Sequence, residues 1–386
     1  MSVAPAARSI PLWVASLLVF LGSRLYSTAL LVGTYFTSKA TGVPFASKRV
    51  RESLWNYFGA WDASYYRRIS EHGYPQVLPM AHGQVAPNSW AFYPVFPGIV
   101  HAVTVVTGLN PDAAGVLVAT LAGAGAAVIL GRLLDRRIGY RAAVWTVAVF
   151  SFGPVSFLLQ LPYAESLFCL LLFASLVALA AQRYLVVACL GVIAAFTRPG
   201  ELALPLAIGI LVALRWRNAG ARKDRAWLIG TAAVTAVAGL AWPVIAGWVT
   251  GVPAAYVETE LSWWTGYVGR VSFVPLSPWF IFAVRYLGVI GVVLVLATVA
   301  AVGWWLTRRS VRAIGTETLL FGGAYLLYLF AVLLPQQSIF RLLMPATPLL
   351  GDPALSASRR MRWAVLGAGV VLQPVAIILL WQIGYP

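Results

Sequence analysis

The chain of 386 residues is 60% hydrophobic and only 10% charged, with a mean hydropathy of +0.82; a soluble domain carries about 25% charged residues, so a water-soluble fold is excluded. Its net charge of +16 does not point to nucleic acid, because most Lys and Arg fall in short loops between apolar runs, the positive-inside pattern of a membrane protein. Cys169 and Cys189 lie inside apolar runs without ligand-like spacing to His72, His82 or His101, and read as small buried hydrophobes rather than a disulfide or zinc framework.

Arg8 precedes the first apolar stretch, and no small-residue cleavage site closes a short hydrophobic region, so a retained first span is expected. Apolar runs able to cross a bilayer cover approximately 10–35, 112–131, 142–160, 164–182, 184–198, 201–215, 226–249, 279–306, 316–335, 339–352 and 363–383. Arg24 and Arg285 fall within spans and are expected to face the bundle interior. The fold class is therefore an all-α polytopic membrane protein of about eleven transmembrane helices, a single domain over 1–386.

Charge sets the orientation. The loops 132–141, 215–225, 308–312 and 359–362 are rich in arginine, and an even number of spans separates each from the next, so all four belong on the cytoplasmic side. With Arg8 also inside, an odd number of crossings must precede residue 132. The run 91–108, which holds Pro94, Pro97 and His101, is then a juxtamembrane or re-entrant helix on the outer side, where Trp90, Phe92, Tyr93 and Phe96 suit the interface. The first extracytoplasmic loop, 36–111, carries the juxtamembrane helices, and the outer face collects Glu52, Asp62, Glu71, Glu165, Glu201, Glu258 and Glu260.

Within that loop, Trp61 through Pro75 reads as a short helix, with Asp62 near its N-cap and Gly73 at its stop. Trp61, Tyr65 and Ile69 recur at helical spacing, which places Arg67 and Arg68 near the level of lipid phosphates. Asp62 can serve simply as a cap, and the basic pair can simply meet anionic headgroups. Their company suits an enzyme with a lipid-phosphate substrate: a carboxylate takes a proton from an acceptor hydroxyl while cations steady a phosphate leaving group. Glu165 beside Pro162 is costly in a membrane unless paired, with Arg198 or Arg341 as partner. Arg198, Gln337 and Arg341 are candidate phosphate contacts, arginine being the better fork. Trp263, Trp264 and Tyr267 either stack on a sugar or anchor at the membrane belt.

The ordered motifs resemble a known family. Trp61-Asp62-Ala63 with Tyr66, Ile69, Gly73 and Tyr74, then Ala91 through Pro97, then Tyr163 with Glu165, Ser166, Leu167 and Phe168, look like the GT-C glycosyltransferases. The match is to the branch typified by the second mannosyltransferase of GPI-anchor assembly (PIG-V type) and its bacterial relatives, with a weaker echo at Thr197-Arg198-Pro199-Gly200. The resemblance orders motifs over the first 200 residues and is vaguer beyond. It implies an active site at the outer membrane face, a polyprenyl- or dolichyl-phosphate mannose donor, and inverting transfer to a glycan, glycolipid or protein acceptor. The family's first-loop acid maps onto Asp62 as catalytic general base. Trp61, Tyr65, Tyr66, Arg67, Arg68, Glu165, Arg198, Gln337 and Arg341 are then expected to bind substrate. There is no Asp-x-Asp pair at Asp62, so no metal and no cofactor is expected. A polytopic transporter or lipid flippase is the rival from another class, with the break at Arg198-Pro199-Gly200 its best feature. A non-catalytic partner subunit of a glycosyltransferase complex is a third reading.

Overall fold

The structure, a computed structural model, describes residues 10–42, 53–216 and 222–384. Arg8, Glu52 and Arg217, on which parts of the topology reading rest, lie outside the described residues. The chain passes from α1 (Leu12–Thr41) through two short helices, α2 (Leu54–Phe58) and α3 (Asp62–His72), to a hairpin in which β1 (Met80–Ala81) runs antiparallel to β2 (Gln84–Val85), Met80 opposite Val85. Next come α4 (Val95–Thr107), α5 (Pro111–Ile138), α6 (Tyr140–Phe152), α7 (Glu165–Ala180), α8 (Tyr184–Ala195), α9 (Ala203–Arg215) and α10 (Arg222–Thr250). The remainder holds α11 (Ala255–Ser262), α12 (Thr265–Val268), α13 (Pro278–Thr307), α14 (Arg309–Arg312), α15 (Thr316–Val332), α16 (Ile339–Leu342) and α17 (Arg359–Ile377). A π-helical turn, Ile378–Ile383, extends α17.

This is an integral, multi-pass helical protein. Five helices are long and apolar enough to cross a bilayer unaided: Leu12–Thr41, Pro111–Ile138, Lys223–Thr250, Pro278–Thr307 and Arg359–Ile383. The expected count of about eleven treats every apolar run except 91–108 as a crossing, whereas length and composition single out these five. Two of the runs give way to 3-10 structure. The run 142–160 breaks at Gly153-Pro154 and ends as a 3-10 turn, Ser156–Gln160. The run 339–352 is the single turn of α16 followed by 3-10 structure over Met344–Gly351, where Pro345 and Pro348 offer no backbone N–H to an α-helical ladder. That second segment still traverses the bundle, from Arg341 beside Asp62 to Gly351 against Leu134 and Ile138 at the far end of α5.

The hub of the bundle is α5, which starts where the Asn110 side chain accepts from the Ala113 N–H and Pro111 fills the first turn. Its buried Ala and Gly residues let α1, α6 and α7 approach closely: Gly115 lies on Pro162, Gly123 on Phe20 and Gly131 on Ser16. Arg24 is buried as expected, and it donates to the carbonyls of Ser151 (2.9 Å), in the last turn of α6, and Ser156 (2.7 Å), at the start of the 3-10 turn. Arg285 departs from expectation. It is exposed, three residues before Gly288, whose φ of 56° kinks α13 and folds Ala283 onto Gly291. Cys169 is buried, but Cys189 lies exposed on the outer surface of α8 rather than in the core.

The basic loops gather at one end. Arg137 and Arg215 both reach Glu317, at 3.6 and 2.7 Å, joining the ends of α5 and α9 to the start of α15. At the opposite end α3 packs on α4, with Tyr66 edge-on to Phe92 and Phe96 (centroids 5.2 and 5.1 Å). Beyond α4 the chain is still at that end, because Asp112 at the start of α5 meets Arg67 at 3.5 Å. Both ends of α4 thus lie at this end of the bundle, Phe96 against Tyr66 at its start and Asp112, just past its close, against Arg67. Single cysteines at Leu109 and His82, in a chain lacking Cys169 and Cys189, should therefore both label with an impermeant maleimide added outside; cytoplasmic labelling at Leu109 would overturn this topology.

Candidate active site

Asp62 is the first residue of α3 and follows a strained turn. Trp61 has φ 57° and ψ −128°, a region that costs a non-glycine residue about 1–3 kcal/mol and collects at functional sites. Its indole N–H donates to the Trp381 carbonyl at 2.9 Å, and the Trp381 ring in turn lies edge-on to Tyr57 and tilted against Tyr163. The turn is thereby fixed by the last helix of the bundle, and the Asp62 side chain points inward instead of capping α3.

There it meets Arg341. The Arg341 Nη2 lies 2.5 Å from Asp62 Oδ2, and its Nη1 lies 2.9 Å from Glu165 Oε1. The same Glu165 oxygen takes Arg198 Nη1 on its other side. Two acids and two arginines alternate, so their formal charges cancel. Side-chain exposure is 17% at Asp62, 11% at Arg341, 9% at Arg198 and 2% at Glu165, which leaves the two outer members partly open and Glu165 sealed beneath them. Four separate parts of the chain converge here: α3, the start of α7, the turn between α8 and α9, and α16. The Arg341 guanidinium also stands 5.5 Å over the Tyr163 ring, a cation–π contact.

Asp62, Arg198 and Arg341 form the charged floor of a cavity of about 400 Å³, within the range of small-ligand sites. One wall is Tyr66, Phe92 and Tyr93, held on α3 and the loop ahead of α4. The facing wall is Tyr256, Glu260, Trp263 and Trp264 from α11 and the turn after it. Leu240 and Pro243 of α10 with Leu329, Val332 and Leu333 of α15 make an apolar flank. The first-loop wall is tied down by indole hydrogen bonds. Trp90 Nε1 donates to the Pro75 carbonyl and Trp242 Nε1 to the Trp90 carbonyl, each at 3.0 Å, while Asn88 Nδ2 reaches Thr259 Oγ1 at 2.9 Å.

The sequence candidates separate into two groups. Asp62, Tyr66, Arg198 and Arg341 line the cavity, and Glu165, expected to need an arginine partner, has two. The others face elsewhere. Arg67 pairs with Asp112, Arg68 lies 5.7 Å over the Tyr65 ring, and Tyr65 stacks on Phe92 at 4.7 Å. Trp61 serves the turn, and Gln337 accepts from the Tyr267 hydroxyl at 3.2 Å, leaving Gln336 and Ser338 as the cavity neighbours. Trp264 is buried at the cavity wall and Trp263 lies beside it, so neither is a belt anchor.

Glu260 is the residue that sequence reasoning missed as part of the site. Burial raises its carboxyl to about 7, and the Tyr256 hydroxyl bonded to it, with Arg198 and Arg341 nearby, pulls the other way. Tyr256 and Glu260 are four apart on α11 and so share a face; that spacing was the available signal. Among the described residues, no group of three or more His, Cys, Asp or Glu side chains is placed to hold a metal ion.

No family profile matches the chain, and no curated protein sequence does. Among solved structures, ArnT from Cupriavidus metallidurans bound to undecaprenyl phosphate aligns with a TM-score of 0.50 and 15% identity, over 92% of this chain and 64% of that one. The Archaeoglobus fulgidus oligosaccharyltransferase complex with zinc and sulfate aligns at 0.37 and 15%, over 94% of this chain and 49% of that one. This chain thus spans less than two thirds of the length of either. It has the all-α, multi-pass fold of ArnT, and at this identity its chemistry has to be argued from its own residues.

Proposed function

We propose that the protein is a membrane glycosyltransferase that moves a mannosyl residue from a polyprenyl-phosphate donor to an acceptor hydroxyl at the extracytoplasmic face, with inversion. The observation that carries this reading is the floor of the cavity, where one part-exposed carboxylate, Asp62, stands against two arginines beneath an apolar flank. The flank suits an isoprenoid chain, and the arginines suit its phosphate. That the ArnT structure holds undecaprenyl phosphate supports the same ligand class here.

In the reaction, Asp62 accepts the proton of the acceptor hydroxyl as that oxygen bonds to the anomeric carbon. The bond from that carbon to the phosphate oxygen breaks, and the lipid phosphate leaves with the electron pair, steadied by Arg341 and Arg198. For this, Arg341 swings one arm of its guanidinium from Asp62 to the phosphate, and so frees the base as the donor arrives. Glu165 holds both arginines in place from below.

A flippase reading keeps one observation of its own. Glu201, at the break between α8 and α9, is buried and neither of its oxygens has a hydrogen-bond partner among the described residues. One experiment separates the two readings: membranes carrying the chain are incubated with polyprenyl-phosphate mannose labelled in the sugar. Transfer of the label onto a new molecule supports the enzyme, whereas movement of the intact labelled lipid across the bilayer without transfer would sink it.

A further inference from the structure

We propose that Glu260, with the hydroxyls of Tyr256 and Tyr93, forms the subsite that holds the hydroxyls of the transferred sugar ring. This rests on the polyprenyl-phosphate-sugar reading above and assigns a residue which that reading does not use. Glu260 stands on the α11 wall of the cavity whose floor carries Asp62, close enough that Asp62, Arg198 and Arg341 all act on its charge. Its surroundings differ from those of the floor. Asp62 and Glu165 each sit against an arginine, whereas among the described residues Glu260 has no salt bridge. Tyr256 stands one turn before it on α11, its ring edge-on to that of Tyr93 at 6.0 Å, so that both hydroxyls belong to the same patch.

A carboxylate has about four acceptor positions, and one tyrosine hydroxyl fills a single one. The other positions face the cavity, and whatever enters has to bring donors, since a buried acceptor left unmet is destabilising. The charge pattern decides which part of the ligand this is. The two arginines are matched by Asp62 and Glu165, which leaves Glu260, like Glu201 on the same lining, without an arginine of its own, so this wall offers a phosphate no counter-charge. A sugar ring is neutral and presents hydroxyl donors in adjacent pairs, which two carboxylate oxygens accept together. Trp263 and Trp264 on the same wall supply flat apolar faces for the C–H side of such a ring. The ligand is thus divided, with its phosphate at the arginine floor and its sugar at the Glu260 wall.

The test uses the full chain in lipid nanodiscs and two probes, undecaprenyl phosphate and undecaprenyl-phosphate mannose. Glu260→Ala should weaken the mannose-bearing lipid about tenfold, the scale of one lost charge-assisted hydrogen bond, and leave undecaprenyl phosphate unchanged. Glu260→Gln, which keeps one acceptor oxygen, should fall between, and Tyr256→Phe should show a smaller loss confined to the mannose-bearing probe. Retained binding of the bare lipid phosphate reports that each variant is folded. Equal weakening of both probes by Glu260→Ala, or of neither, would overturn the subsite while leaving the donor class standing. Binding of neither probe by the wild-type chain would overturn both.

Discussion

Asp62→Asn should lower sugar transfer by at least a hundredfold, since a positioned general base is worth about 10²–10⁴ in rate. Asparagine keeps the shape of the side chain and its carbonyl oxygen still accepts from Arg341, so the chain should reach the membrane at its normal level. The same substitution should not weaken undecaprenyl phosphate, and should tighten it. Arg341 Nη2 is 2.5 Å from Asp62 Oδ2, so the carboxylate competes with an incoming phosphate for that arginine. Removing the charge removes the competitor. Two measurements check this: the transfer rate with labelled donor, and the dissociation constant of the bare lipid phosphate. Transfer near the wild-type rate would remove Asp62 from the chemistry.

The largest effect on stability is expected at Glu165. It is sealed beneath Arg198 and Arg341, which share one of its oxygens. Glu165→Ala leaves two buried guanidinium groups facing one another without their common anion, and breaking a buried pair from one side costs about 3–5 kcal/mol. The thermal unfolding midpoint in detergent should therefore drop well below that of Asp62→Asn, which leaves the Glu165 bridges in place. Glu71→Ala is the control: its pairing with His72 is solvent-exposed and of little consequence. An unchanged midpoint for Glu165→Ala would show that the bundle does not depend on this charge cluster.

What could be read from sequence divides along physical lines. Apolar runs and basic loops report a solvent boundary directly, so the helices and the clustering of basic loops at one end were legible. Asp62 was legible because an acid beside a membrane needs a reason, and Glu165 because burying it demands a cation. The neighbours of Asp62 were less so. Arg67 and Arg68 are close in sequence, but a helix advances about 100° per residue, so at five and six positions on they leave the Asp62 face that Tyr66, four positions on, shares. Proximity along the chain was taken for proximity in the site. Glu260 and the tryptophans after it were the opposite case, close in space but some 200 residues away, in a loop whose aromatic residues also suit a membrane belt. The 339–352 run was apolar enough for a span, yet its two prolines deny it a continuous α-helical ladder. At Arg285 the misleading feature was Gly288, whose positive φ no hydropathy pattern announces.

Trp61 is pinned by a carbonyl 320 residues further along the chain, and Asp62 by an arginine 279 residues further along. During synthesis both residues emerge well before the groups that fix them, 320 and 279 residues earlier. Until then the ribosome-bound chain carries a carboxylate without its counter-ion and a turn without its clamp. A side chain in that position has to tolerate a long wait in water, which a loop at the membrane surface allows and the hydrocarbon interior does not. Placing Asp62 on a surface helix therefore lets the charge cluster be assembled late, when α16 and α17 close over it.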